Sequence, residues 1–271
     1  MLLTILMVLG VLTGVGVMFL GHLYTQWYHI PIVLAMCVGF FILWAAFYLL
    51  IALIWSALVN IKKVEYDPNP FYQWLVVETM KYILFFSNAS VKVEGIEQIP
   101  KDQKCLIVAN HRSNYDPISI MTHIPLKPLI FISKPENFKL PVAGGFIRRA
   151  GFMAIDRDHV KNAIITINTA AEKIRSGQTS VFIFPEGTRN RTEQTLLEFK
   201  NGAFKIATKA KCPLVVLAIS NAEKVKKRTP WRHTRVNLKV VDVIPAERVA
   251  TMKTAELSEE VRQKIEEALK A

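Results

Sequence analysis

"CLIVANHRSNYDP", residues 105–117, is the stretch from which the fold can be read. Leu106 to Ala109 form a short apolar run without alternation, the pattern of a strand buried on both faces. The run stops at a polar loop, and Asp116 followed by Pro117 reads as the N-cap and first residue of a short helix over about 117–123. Strand, loop and helix in this order make the unit from which α/β domains are built. Inside the loop, His111 stands five positions before Asp116. An imidazole serves as a general base near neutral pH, and a carboxylate beside it fixes its tautomer. Five positions do not face each other on one helix, but they suit a turn whose aspartate folds back. On this loop alone, a catalytic pair and a plain N-cap beside a chance histidine both remain open.

Outward from this unit the same grammar repeats. "SVKVEG" (90–95), "LIFIS" (129–133), "FMAI" (152–155), "SVFIF" (180–184), "PLVVLAIS" (213–220) and "RVNLKVVDVI" (235–244) read as further strands. A Gly-rich segment fills 144–151. Residues 158–176 read as the clearest helix, with Asp158 able to cap it and Gly177 to end it. Its apolar face is Ala163, Ile164, Ile167, Ala170, Ala171 and Ile174. A helix near 200–210 and a capped one from Ser258 complete the pattern. The expected fold class is α/β, a mixed, largely buried sheet flanked by helices.

Before this domain the composition changes. Residues 1–61 contain no Asp, Glu, Lys or Arg, so all 34 basic and 22 acidic residues follow. Residues 1–21 and 31–59 are apolar and long enough to cross a bilayer, which takes about 20 residues. The uncharged, Tyr- and Trp-containing "HLYTQWYHI" between them suits a membrane–water interface. Lys62 and Lys63 follow the second span, so the positive-inside rule places both chain ends in the cytoplasm. The expected organisation is an N-terminal transmembrane helical hairpin as membrane anchor over 1–63, an interfacial or connecting helix over 64–89, and a catalytic domain over 90–271. That makes a multi-pass protein of the cell membrane with its soluble domain on the cytoplasmic face. The net charge of +12 suits an anionic membrane surface or a phosphorylated substrate. No nucleic-acid-binding pattern stands out, and the apolar anchor favours lipid. The basic run "KVKKRTPWRHTR" (224–235) fits contact with anionic headgroups.

Two more strand-end loops carry polar chemistry. "FPEGTR" (184–189) places a proline, a carboxylate, a flexible glycine, a hydroxyl and a guanidinium within six positions. Gly187 lets backbone N–H groups approach a ligand, and Arg189 can grip a phosphate with two hydrogen bonds. "DRD" (156–158) offers Arg157 as a second phosphate ligand or an ordinary surface arginine.

These blocks together resemble the glycerophospholipid acyltransferase family, and within it the bacterial 1-acyl-sn-glycerol-3-phosphate acyltransferase branch. The resemblance rests on His111 with Asp116, "GFMAIDR" (151–157), "FPEGTR" and "CPLVVLAIS" (212–220), in that order. The His111 and Glu186 blocks lie 75 positions apart, and "FKNGAFKIA" (199–207) resembles the family's connecting segment. It implies transfer of a fatty acyl group from acyl-CoA or acyl-carrier protein to the sn-2 hydroxyl of 1-acyl-glycerol-3-phosphate, giving phosphatidic acid. His111 would then be the base and Asp116 its orienting partner. Arg157, Glu186, Gly187, Thr188 and Arg189, with Lys134 from "ISKPENFKLP", would bind the acceptor. Other acceptors, such as glycerol 3-phosphate, another lysophospholipid or an aminolipid, would use the same base. The last block carries Leu217 where the family usually has a second proline, a departure that bears on the donor.

An acyl thioester is already activated, so such a reaction needs a base, oxyanion donors and cations for the phosphate, and no cofactor or metal. No Ser or Cys sits in a nucleophile-elbow setting, which argues against an acyl-enzyme hydrolase. A metal-dependent hydrolase would need more ligands, and His123, His159 and His233 lack partners in the sequence. Cys37, Cys105 and Cys212 fit no metal spacing and read as inert thiols of a reduced compartment.

Overall fold

Short runs of Leu, Ile, Val and Phe without alternation can satisfy their backbones only by pairing, and their side chains only by being covered on both sides. Such runs pair into one sheet in the computed structural model, which describes residues 2–23, 29–57, 59, 67–157 and 159–270. The chain divides into two units, Met1–Asn60 and Ile61–Ala271.

In the second unit the strands are β1 (Ala89–Glu94), β2 (Leu106–Ala109), β3 (Leu129–Ser133), β4 (Met153–Ala154), β5 (Ser180–Ile183), β6 (Leu214–Ser220) and β7 (Thr234–Ile244). They form one sheet in the order β1-β7-β6-β2-β5-β3-β4. All neighbours are parallel except β6 and β7, so β1 and β7 run against the other five. The expected mixed, buried sheet is what forms. β2 and β5, near its centre, are buried at every position. Each such Leu, Ile, Val or Phe contributes about 1.5–3 kcal/mol. β7 instead alternates, Val236, Leu238 and Val240 inward, Arg235, Asn237 and Lys239 outward, because its other face meets solvent.

Helix α1 (Leu2–Leu20) and α2 (Ile30–Ala57) make up the first unit. Gly10 lies against the backbone of Phe41 and Gly14 against Cys37, so small residues let the two helices approach closely. α2 is long and apolar enough to cross a bilayer; α1 is apolar but shorter.

In the second unit, α3 (Pro70–Phe86) starts where the Asn69 side chain accepts the N–H groups of Phe71 and Tyr72. It buries Leu75, Val76 and Leu84, and the Gln73 amide donates to the carbonyls of Leu129 and Ala150. This helix therefore packs on the α/β domain. α4 (Tyr115–His123) has Asn114 at its N-cap position, two residues before Asp116, the expected cap. The Asp116 side chain is drawn back to the loop's own N–H groups and does not cap the helix.

The Gly-rich segment contains a helix, α5 (Ala143–Arg149), which sequence propensity hides. Gly144 sits directly on the Phe138 carbonyl, with no room for a side chain. α6 (Val160–Arg175) buries Ile167, Ala170, Ala171 and Ile174, while Ile164 is exposed; the Asp158 cap lies outside the described residues. α7 (Lys205–Ala210), α8 (Ala222–Arg228), α9 (Ala246–Thr251) and α10 (Thr254–Lys270) follow. α10 starts one turn before Ser258, which lets Leu257, Val261 and Ile265 face the domain.

Cys105 and Cys212 are buried, and burial pushes their thiols up to about 12 and about 11. Neither forms thiolate at neutral pH, so an aqueous disulfide reagent should label both only after denaturation. Labelling of either in the native protein at the rate of a free thiol would contradict this burial.

Candidate functional site

The carboxyl ends of β2, β3, β4 and β5 point the same way, so the loops leaving them converge. Just past β2, Asn110 is fully buried and extends the ladder with its side chain. Its amide donates to the Ile219 carbonyl at 2.9 Å, and its oxygen accepts the Ile219 N–H at 2.8 Å. This fixes where His111 leaves the sheet.

His111 is held from four sides. Its N–H donates to Glu186 Oε1 at 2.6 Å, and its carbonyl accepts the Asn190 N–H at 2.7 Å. Its ring stacks on Phe184, with centroids 3.8 Å apart and planes 12° from parallel. Nδ1 lies 2.9 Å from Asp116 Oδ2, which also accepts the N–H groups of Arg112 and Ser113, each at 2.7 Å. An ionised carboxylate only accepts, so Nδ1 carries the proton and Nε2 keeps its lone pair. Asp116 is 1% exposed. Burial pushes its carboxyl up from the ordinary value, against the pull of the hydrogen bonds from His111, Ser113 and Arg112.

His111 lines a cavity of about 390 Å³. The polar part of its wall includes Asn114, Lys134, Arg157, Gly187, Thr188 and Arg189, and the apolar part includes Phe131, Leu140, Ile147, Phe152 and Phe184. Gly187 has φ +73°, and the Arg157 guanidinium lies 3.7 Å from where a Cβ on Gly187 would stand. The loops after β4 and β5 thus meet. Arg189 donates to the Asn114 side chain, which ties the β5 loop to the His111 loop.

Glu186 alone among the residues expected at the acceptor site does not line the cavity. It is 2% exposed, and its carboxylate is taken up by two backbone N–H groups, His111 at 2.6 Å and Leu197 at 3.0 Å. Burial pushes this carboxyl up, against those two N–H groups, and the nearby Asp116 charge pushes the same way. The β5 strand ends in a turn that sends residue 186 inward and 187–189 to the cavity.

Asn110, Phe184, Asn114 and Asn190 escaped the sequence reading. Asn110 opens the His111 motif, Asn114 lies inside it, Phe184 opens "FPEGTR" and Asn190 follows it; only that place in the motifs could have marked them. The other histidines of this domain are engaged elsewhere: His159 with Asp156, His233 with Ser90 and Asn88, His123 with Thr122 and Ser119. Among the described residues no three His, Cys, Asp or Glu side chains converge as metal ligands.

Comparisons with known proteins point the same way as the motifs. The Acyltransferase family profile matches residues 90–220. The 1-acyl-sn-glycerol-3-phosphate acyltransferase of Saccharomyces cerevisiae is 29% identical over 203 residues, 73% of this chain and 66% of that protein. The 1-acyl-sn-glycerol-3-phosphate acyltransferase alpha of Bos taurus is 30% identical over 195 residues, 69% of this chain and 67% of that protein. The matched region thus spans about two thirds of the length of these relatives. Among solved structures, the crystal structure of the 1-acyl-sn-glycerophosphate acyltransferase of Thermotoga maritima superposes with a TM-score of 0.57. It is 24% identical and is matched over 83% of this chain and 98% of its own, a likeness of fold. With these relatives and the ordered motifs around one cavity, the chain belongs to the acyltransferase family.

Proposed function

We propose that this protein moves a fatty acyl group from acyl-CoA or acyl-carrier protein to the sn-2 hydroxyl of 1-acyl-glycerol-3-phosphate, giving phosphatidic acid for phospholipid synthesis. The observation that carries the reading is the pairing of His111 with Asp116 at a cavity that also holds Lys134, Arg157 and Arg189. With Nδ1 committed to Asp116, Nε2 takes the proton of the acceptor hydroxyl as its oxygen attacks the thioester carbonyl. The tetrahedral intermediate collapses to the new ester and expels the thiolate, which recovers the proton from the imidazolium. Asp116 stabilises the imidazolium between the two steps. The three cations offset the phosphate charge of the acceptor, and the apolar wall accepts hydrocarbon. Thr188 and Gly187 shape the phosphate end of the cavity.

The same reading makes residues 1–63 a two-helix membrane anchor with the α/β domain on the cytoplasmic face. The length of α2, the close approach of α1 and α2 at Gly10 and Gly14, and the lysines at 62 and 63 support it. A lipid acceptor and product then stay in the bilayer while the donor arrives from water.

The test is transfer of labelled acyl groups by the detergent-purified full chain, from both donor types, to 1-acyl-glycerol-3-phosphate, glycerol 3-phosphate and a zwitterionic lysophospholipid. Phosphatidic acid is the expected main product. Arg157→Ala should raise the KM for the phosphate acceptor about 10–100-fold, the worth of a charged hydrogen bond. Faster transfer to the zwitterionic acceptor, or no change in KM, would overturn the assignment of the headgroup.

A further inference from the structure

Away from the cavity, the most exposed aromatic side chain among the described residues of the domain is Trp231, 89% exposed, in the turn between α8 and β7. Close to it, Phe85 and Phe86 at the end of α3 are 70% and 53% exposed. The two segments are sewn together. Thr229 donates to the Ser87 carbonyl at 3.0 Å, the Asn88 amide to the Pro230 carbonyl at 3.1 Å, and the Thr234 N–H to the Asn88 carbonyl at 3.0 Å. Around these aromatics stand Lys226, Lys227, Arg228 and Arg232, all exposed, and none pairs with a carboxylate among the described residues.

Topology sets this patch at the catalytic end of the sheet. β1 and β7 run against β2 and β5, so the chain enters them where β2 and β5 end. The connection is also direct. Tyr115 shares a 2.9 Å hydrogen bond with Ser87, and Ser113 donates to the Ala222 carbonyl at 2.9 Å. Ser113 lies in the loop that carries His111, and Tyr115 opens the helix that carries Asp116.

We infer that Trp231, Phe85 and Phe86, with the cations 226–228 and 232, form a docking surface for an anionic bilayer, separate from the N-terminal helices. Tryptophan and phenylalanine at the headgroup level with lysine and arginine around them is the arrangement that binds an anionic membrane surface. Each cation near such a surface strengthens binding about fivefold. An acidic protein partner would match the charge but gives no reason for three exposed aromatic rings. Docking here turns the catalytic end of the sheet to the membrane. The catalytic value of that orientation rests on the lipid acceptor proposed above, whereas docking itself is a property of the surface.

The experiment therefore reads docking by fluorescence, apart from activity. The full chain is reconstituted in phosphatidylcholine vesicles with or without phosphatidylglycerol, and brominated phospholipids serve as quenchers. The Trp231 signal is the difference between wild type and Trp231→Phe. It should be quenched in anionic vesicles, and most of the quenching should be lost in Lys226→Gln/Lys227→Gln/Arg228→Gln. Quenching that ignores both anionic lipid and the triple substitution would overturn the inference. So would a Trp231 signal that responds to added acyl-carrier protein and not to lipid, which would make this a protein-docking face. Acyl transfer lost while quenching persists would count against the acceptor assignment and leave the docking surface standing.

Discussion

His111→Ala is expected to lower turnover about 10²–10⁴-fold, the usual worth of a positioned general base, or roughly 3–5 kcal/mol of barrier. The substitution should leave the fold in place. Asp116 would lose the imidazole but keep the N–H groups of Arg112 and Ser113, so no buried carboxylate is stranded. The stacking on Phe184 would be lost, yet His111 is near the surface of the cavity and not in the sheet core. His111→Asn makes the sharper test. Its amide can still donate to Asp116, but it has no basic nitrogen, so it should be as inactive as alanine while melting closer to wild type. In both variants the KM for the acceptor should stay within a few-fold of wild type, because the phosphate is assigned to other side chains. Single-acceptor kinetics with circular dichroism on the same preparations check this. Activity in His111→Asn near that of wild type would remove the base from the mechanism.

How much of this was legible before any coordinates follows from the range of the forces involved. The strands were readable because they announce themselves locally: the central ones as unbroken apolar runs between turn residues, β1 and β7 as alternating ones. The convergence of His111, Lys134, Arg157 and Arg189 followed from a parallel sheet, whose strand ends must share one side. What stayed hidden depends on contacts distant in sequence. Asn110 looks like any polar residue at a strand end; only the neighbouring β6 shows that its side chain completes a ladder with Ile219. α5 was obscured by Gly144 and Gly145, which lower helix propensity, although Gly144 is required by the approach of Phe138. Asp116 was expected to cap a helix, and the loop instead draws its carboxylate toward three donors, including His111.

Glu186 shows the same limit, and its substitution is expected to have the next largest effect. In the motif "FPEGTR" it reads as one of a set of acceptor ligands beside Arg189. Its carboxylate, however, is buried and occupied by the N–H groups of His111 and Leu197, one oxygen for each. A group so placed acts on the acceptor only through His111: it fixes the backbone from which the base projects, and it pins the loop that continues to Leu197. Glu186→Gln keeps the size but offers one oxygen and one NH₂, so one of the two N–H groups must face a donor. Leaving a buried donor unpaired costs about 1–3 kcal/mol of stability. It also frees the His111 backbone, and a shift near 1 Å in a catalytic group costs about 10²-fold in rate. The expected signature of Glu186→Gln is thus a kcat about 10²-fold lower with an almost unchanged KM for the acceptor. Arg157→Ala should do the reverse, raising KM with a smaller effect on kcat. Should Glu186→Gln raise the acceptor KM as Arg157→Ala does, the carboxylate would be a ligand after all, and the orientation of its side chain would have to change when the acceptor binds.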